Sequence, residues 1–198
     1  MEKPDLEIAH VILQLTEGAP RDQELALQRY FLPDAGLIHP LCRVPRFRDL
    51  PLPLLGLVDS RWVIGMIYRW YKILSPRVSA QVQRVVYDDK AAHLYCEVQQ
   101  IFSPVFLPFY HASSHLTVKL QLQRDGPDGK YYIVTQEDLY QSTELVRFFG
   151  PGYSTLVFFL QLLVSYACVV GALLLAPITW LEQMTAEKSE QVNGVKMP

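Results

Sequence analysis

A single stretch, Tyr153 to Ala176, constrains this chain more than any other. It reads YSTLVFFLQLLVSYACVVGALLLA, and no charged side chain occurs from Phe148 through Leu181. Roughly 20 apolar residues suffice to cross the hydrocarbon core of a bilayer as a helix. A helix satisfies its own backbone hydrogen bonds, so it is the form a lone span takes in lipid. Pro151 and Gly152 precede the stretch, Pro177 follows it, and Tyr153 and Trp180 lie near its ends. Amphipathic rings favour such headgroup positions. A buried core helix is the competing reading, but core helices are usually shorter and carry a polar face. The sequence therefore predicts a single-pass membrane protein whose first partner is the bilayer.

The expected division is a folded domain over 1–147, a linker over 148–152, the span over 153–177 and a polar tail over 178–198. About 150 residues before the span are enough for one domain with a sizeable core. The net charge of -2 offers no footprint for nucleic acid, which needs a strongly basic face. No Gly-rich loop ending in Lys-Ser or Lys-Thr provides for phosphate chemistry. The cysteines are Cys42, Cys96 and Cys168. Three thiols, widely spaced, make a poor disulfide framework. They contain no zinc-type cluster, so neither a metal nor a cofactor is expected. The N-terminus, interrupted by Glu7, His10 and Gln14, does not read as a secretory signal. A late anchor without a leader predicts a cytosolic N-terminal domain, with the endoplasmic reticulum as the default membrane.

Periodicity supplies the elements. Asp5 is positioned to cap a first helix from Leu6, and Asp22 to open a second that Pro33 stops. Gly36 to Val44 reads as one short strand, edge or bulged at Pro40, and the Pro-broken segment from Arg46 to Leu57 as a loop. Ser60 to Leu74 is an amphipathic helix. Its expected inner side carries Trp62, Val63, Met66, Ile67, Trp70, Ile73 and Leu74. Arg61, Gly65, Arg69 and Lys72 fall opposite, a solvated face or one that attracts anionic lipid heads. Alternation then gives strands over Val78–Tyr87, Ala91–Phe102, His115–Arg124 and Lys130–Tyr140, with a turn over 124–129. A short helix over Ser142–Phe149 leads to the span. Two helices, a strand, a helix and a meander amount to an α+β sheet with helices on one face.

This order resembles the cone-shaped fold of nuclear transport factor 2-like proteins, in which a curved antiparallel sheet wraps N-terminal helices. More closely, the chain is similar to a membrane-anchored group called SigF-like. The likeness is carried by YFLPDAGLIHPLCRV (Tyr30 to Val44), IYRWYKILSP (Ile67 to Pro76), FSPVFLPFY (Phe102 to Tyr110) and YYIVTQEDLYQ (Tyr131 to Gln141). It extends over nearly the whole chain, short of the tail after Met184. The resemblance implies a pocket, and a fold that hosts isomerases, dehydratases, hydrolases and non-catalytic binders.

Steroid-isomerase-like relatives need an acidic base and a neutral oxyanion donor in an apolar cavity. Here the candidates are Asp138 as base and Tyr140 as donor, with His39, Tyr68 and Gln136 lining the pocket. Gln136, Asp138 and Tyr140 share one strand face. The simpler reading is that Asp138 and Tyr140 bond to the core rim and that His39 is a satisfied structural residue. The loop from Ile101 to Tyr110 is too short to span a bilayer. Phe102, Phe106, Leu107, Phe109 and Tyr110 are candidates to dip into its surface, or the loop closes the cone as a lid. Two functions follow. One is a non-catalytic module holding a lipophilic small molecule or a protein partner at a membrane. The other is an isomerase or dehydratase acting on a lipid- or sterol-like substrate. A cavity holding a buried carboxylate in reach of a tyrosine favours the second.

Overall fold

The computed structural model describes residues 1–53, 56–107, 109–125, 129–178, 180–181 and 183–184. The expected polar tail and the centre of the turn over 124–129 fall largely outside them. The chain divides into two compact units, Met1–Ser154 and Thr155–Pro198.

The first unit opens with α1 (Pro4–Glu17) and α2 (Pro20–Tyr30). Asp5 does not cap α1. The helix starts one residue earlier, and Glu7 Oε1 instead accepts the N–H groups of Glu2 and Lys3 at 2.7 and 2.8 Å. Proline at the first helical position suits this start, because its missing N–H would have had no partner there. β1 (Phe31–His39) leaves α2 directly, so Pro33 sits inside a strand rather than at a helix end. The β1 register shifts between Phe31 and Gly36, where a residue without an N–H cannot serve the ladder.

The segment expected as one strand is a hairpin. β1 and β2 (Cys42–Val44) pair antiparallel with His39 opposite Cys42, so Pro40 and Leu41 form the turn. Pro40 lacks the donor a continuous strand would need, and His39 Nδ1 accepts the Leu41 N–H at 3.1 Å. The expected loop after it contains a small two-stranded sheet, β3 (Leu50–Leu52) with β4 (Gly56–Val58).

α3 runs over Ser60–Leu74, as its spacing predicts, but its inner side is rotated from the expected one. Ile64 is fully buried, whereas Trp70 and Ile73 are about 60% exposed. The helix packs against both α2 and β1, so its buried surface is not a single stripe.

β5 (Ser79–Asp88), β6 (His93–Phe102), β7 (Ala112–Asp125) and β8 (Lys130–Tyr140) complete a six-stranded sheet ordered β2-β1-β8-β7-β6-β5. The sheet is curved and largely antiparallel; β1 and β8 alone among its pairs run parallel. Between Gln121 and Leu122 the β7–β8 register slips by one residue, at Val134. This bulge brings Ile133 onto the same face as Gln136, Asp138 and Tyr140, since a single extra residue reverses the alternation. α4 (Ser142–Leu145) and a 3-10 turn (Val146–Phe149) close the first unit.

α5 (Tyr153–Leu174) has 22 residues, and none of its most apolar window is buried. It is long and apolar enough to cross a membrane.

Candidate functional site

The inner face of the sheet and the helices α1 and α3 enclose a cavity of about 320 Å³. Most of its wall is hydrocarbon. Ile8, Val11, Ile12 and Leu15 come from α1, and Leu116, Val118 and Leu120 from β7. Polar groups enter from β8, β6, the β1–β2 hairpin and α3. All five residues expected to form the site line this cavity: His39, Tyr68, Gln136, Asp138 and Tyr140.

Two hydrogen-bonded relays organise the polar part. In one, the Tyr68 hydroxyl donates to Gln136 Oε1 at 2.9 Å, and Gln136 Nε2 donates to Asp138 Oδ1 at 2.9 Å. In the other, the Tyr71 hydroxyl donates to Gln100 Oε1 at 3.1 Å, and Gln100 Nε2 donates to the Tyr140 oxygen at 2.7 Å. Both glutamines are buried, and each has both ends of its amide engaged. A buried amide left unmatched would be costly, so these pairs fix the side chains that follow them.

Each relay ends on a group with unused capacity. Gln136 is the one partner of Asp138 among the described residues, and it occupies Oδ1. Oδ2 remains available to the cavity. The Tyr140 oxygen accepts from Gln100, while its own proton has no acceptor among the described residues. The two groups stand two residues apart on one face of β8, roughly 7 Å along the strand. A carboxyl group and a phenol therefore look into one apolar space. Asp138 and Tyr140 are not hydrogen-bonded to each other; the carboxylate meets a tyrosine only through Gln136.

Burial determines the protonation states. It pushes the Asp138 carboxyl up to about 6, against the opposing pull of the Gln136 hydrogen bond. Asp138 keeps some accessible surface because it faces the open cavity, but low-polarity protein surrounds it and no cation among the described residues pairs with it. Burial also raises Tyr68, Tyr71 and Tyr140, and the Asp138 charge adds to the effect on all three. Tyr140 thus stays protonated at neutral pH and remains a donor. Burial lowers the His39 pKa. With Nδ1 accepting from Leu41, its proton lies on Nε2. The His39 ring packs edge-on against Tyr140, with centroids 5.4 Å apart.

Three further residues belong to the site without having been expected there. Gln100 lies in phase with Val98 and Phe102 on β6, and Tyr71 lies three residues from Tyr68 on α3. Cys42 reaches the cavity through the hairpin, where burial and the nearby Asp138 charge raise its thiol pKa. Cys96 is a buried thiol pushed up to about 12 by burial. Among the described residues no three metal-ligating side chains converge.

The loop after β6 divides. Phe102 is buried against Tyr71 and Phe148, so it is not a surface residue as expected. Tyr110 donates to the Arg147 carbonyl at 2.9 Å, and Leu107 is partly covered. Phe106 and Phe109 are exposed, Phe109 to 97%. The basic side of α3 is also engaged. Arg61 donates to the Phe31 carbonyl at 3.0 Å, Lys72 to the Glu17 carbonyl at 2.8 Å, and Arg69 pairs with Glu24 at 3.0 Å. Arg61 and Lys72 thereby satisfy the carbonyl-rich ends of α2 and α1, where cations are favourable. They are not a free face for lipid heads.

The fold agrees with the comparison across families. The SigF NTF2-like domain model matches residues 1–180. The chain belongs to the SigF NTF2-like domain family. Solved structures resemble it at low identity. A hypothetical protein of ketosteroid isomerase-like fold from Catenulispora acidiphila, solved with trimethylamine, has a TM-score of 0.52 at 13% identity, covering 73% of this chain and 91% of that one. An NTF2-like protein of unknown function from Burkholderia pseudomallei has 0.47 at 15%, covering 70% and 94%. The epoxide hydrolase/cyclase-like enzyme SalBIII, of pyran ring formation in salinomycin, has 0.49 at 11%, covering 69% and 89%. No curated protein matches the chain in sequence. The chain thus has the NTF2-like fold, which it shares with the ketosteroid isomerase-like protein from Catenulispora acidiphila.

Proposed function

We propose that this domain binds one lipophilic molecule bearing a carbonyl or similar acceptor, and that α5 holds it at a membrane. The observation that carries the reading is the pair of unspent polar groups, Asp138 Oδ2 and the Tyr140 hydroxyl, in an otherwise apolar cavity of about 320 Å³. Ligand pockets commonly combine apolar walls with a few convergent polar groups, and this volume is at the small end of their range of about 300–1,000 Å³. As a helix, the 22 residues of α5 rise about 33 Å, against a hydrocarbon core of about 30 Å.

A second reading, proton transfer, is favoured by the raised pKa of Asp138, since a base poised near neutrality suits such chemistry. In a β,γ-unsaturated carbonyl ligand, the carbonyl oxygen would accept the Tyr140 hydrogen bond while Asp138 Oδ2 takes a proton from the carbon next to the carbonyl carbon. The C–H electron pair would move into the enolate, and return of the proton at another carbon would complete an isomerisation.

The test is native mass spectrometry of the full chain in mild detergent, with lipid extraction. A stoichiometric lipophilic species is expected, and it should be lost on Tyr140→Phe. A cavity empty across several mild detergents would overturn the binding reading. The recovered ligand, incubated in deuterated water, then separates the two readings. Deuterium exchange by the wild type but not by Asp138→Asn marks an enzyme, and no exchange by either marks a binder.

A further inference from the structure

The cavity is not sealed, and the rim near the end of α3 is unusually apolar. Trp70 lines the cavity yet is 60% exposed. Ile73, one turn on, is equally exposed. The next residue, Leu74, also lines the cavity, and its carbonyl accepts the Val105 N–H at 2.8 Å. Ser75 Oγ accepts the Ser103 N–H at 2.8 Å. These bonds join the base of the aromatic loop to the end of α3. Beyond them Val105, Phe106 and Phe109 project as exposed side chains. Five large apolar residues are thus exposed on the end of α3 beside the cavity and on the loop bonded to it, a grouping that calls for a partner.

The same loop is tied to the point where the chain leaves the domain. Tyr110 donates to the Arg147 carbonyl, and Gly150 lies against Leu107. Two residues, Pro151 and Gly152, separate Gly150 from Tyr153, the first residue of α5, so three residue steps give a reach of at most about 11 Å. This spacing holds inside the first compact unit, whatever direction α5 takes afterwards.

We propose that this border, Trp70, Ile73, Val105, Phe106 and Phe109, rests on the surface of a neutral phospholipid bilayer, so that the cavity opens toward lipid and its ligand enters from the membrane. This rests on the reading of α5 as a bilayer span. A helix that enters lipid at Tyr153 keeps the loop within one short tether of the interface, where exposed aromatic side chains are favoured. Arg61, Arg69 and Lys72 of α3 are committed to carbonyls and Glu24, so the apolar side chains rather than these cations are the basis of the contact. The ligand class deepens accordingly to a molecule that dissolves in the bilayer.

The test uses the full chain in phosphatidylcholine vesicles, with the lipid either plain or brominated near the top of one acyl chain. Bromine quenches tryptophan at short range. Three double Trp→Phe variants each leave one reporter: Trp62, Trp70 or Trp180. Trp180 reports the span, Trp70 the border, and Trp62, about 12 Å back along α3, the part of the helix away from it. Quenching of Trp70 is expected within about twofold of Trp180, with Trp62 nearly unquenched. Phe106→Asp with Phe109→Asp should relieve Trp70 and leave Trp180 quenched. Trp180 quenched with Trp70 no more quenched than Trp62 would overturn the border contact while the span stands. Trp70 quenching unchanged by the two aspartates would likewise overturn it. Trp180 unquenched would sink the span reading itself, and the border proposal with it.

Discussion

Asp34 on β1 and Asp138 on the neighbouring β8 place the same carboxylate in opposite company. Asp34 lies outside the cavity. Its Oδ2 meets Arg46 at 2.7 Å, its Oδ1 meets Arg48 at 3.1 Å, and Arg46 Nε also donates to its carbonyl. Partial burial opposes ionisation there, but the two arginine hydrogen bonds outweigh it and hold the carboxyl below its usual range. Asp138 has no cation and one amide, and burial raises its carboxyl to about 6. A charge matched by its neighbours fastens structure together. A charge left unmatched inside a cavity disfavours the fold, which is why such groups gather at functional sites. The difference has a sign that can be measured. Asp34 should support the fold above the usual carboxylate range and lose that support as pH falls through its lowered pKa. Asp138 should do the reverse.

The largest effect belongs to Asp138. Its folded pKa of about 6 exceeds the unfolded value of about 4. Below about pH 4 the residue is neutral in both states and costs nothing. Between about pH 4 and 6 the unfolded chain ionises first, and stability is lost, levelling off above. Two pKa units correspond to on the order of 3 kcal/mol. Asp138→Asn keeps the oxygen that accepts from Gln136 and removes the charge. It should raise Tm by several degrees at about pH 8 and change little at about pH 4. Equal Tm values at both pH settings would mean that Asp138 is charge-compensated after all.

Gln136→Leu sharpens the same contrast from the other side. It strips Asp138 of its one hydrogen bond and leaves the Tyr68 hydroxyl without its acceptor. An unmatched buried polar group costs about 1–3 kcal/mol, so a loss of about 2 kcal/mol is expected at acid pH. Because the Gln136 bond lowers the Asp138 pKa, the fall in stability should still begin near about pH 4 but continue to higher pH before levelling off. Thermal melts across the pH range would read both, and an unmoved midpoint would count against the relay.

Much of this architecture was legible in the sequence, and the exceptions have physical causes. α3 and β8 have the bounds the sequence predicts: Ser75-Pro76 stops the helix, and the turn ending at Gly129 opens the strand. Alternation also grouped Gln136, Asp138 and Tyr140. Alternation would have found Gln100 too, had an amide in phase with Val98 and Phe102 been weighed as inward-facing. The inner side of α3 was misjudged because two neighbours divide that helix, and because a tyrosine can be buried by its ring and satisfied by its hydroxyl. The hairpin at Pro40 was hidden because a proline signals only that the ladder is interrupted. What no pattern could give is the absence of a cation near Asp138. Lys119, on the adjacent strand, pairs with Glu137 at 3.2 Å, and successive residues of a strand point to opposite faces.

The smallest effect lies at the Asp34 clasp. Gly36 lets Arg46 lie across β1; a Cβ there would come within 3.2 Å of Arg46 Cγ. The two arginines are about half exposed, so solvent screens the pairs. Exposed ion pairs contribute about 0.2–1 kcal/mol, and Asp34→Asn should therefore cost about 1 kcal/mol near neutrality. The loss should shrink as pH falls through the lowered Asp34 pKa, where the wild-type residue is itself neutral. Arg46→Ala should cost more than Arg48→Ala, because Arg46 also holds the Asp34 carbonyl. If Asp34→Asn instead raised Tm near neutrality, as expected of Asp138→Asn, the arginines would not be compensating the charge, and the distinction between a fastening carboxylate and a working one would fail in this fold.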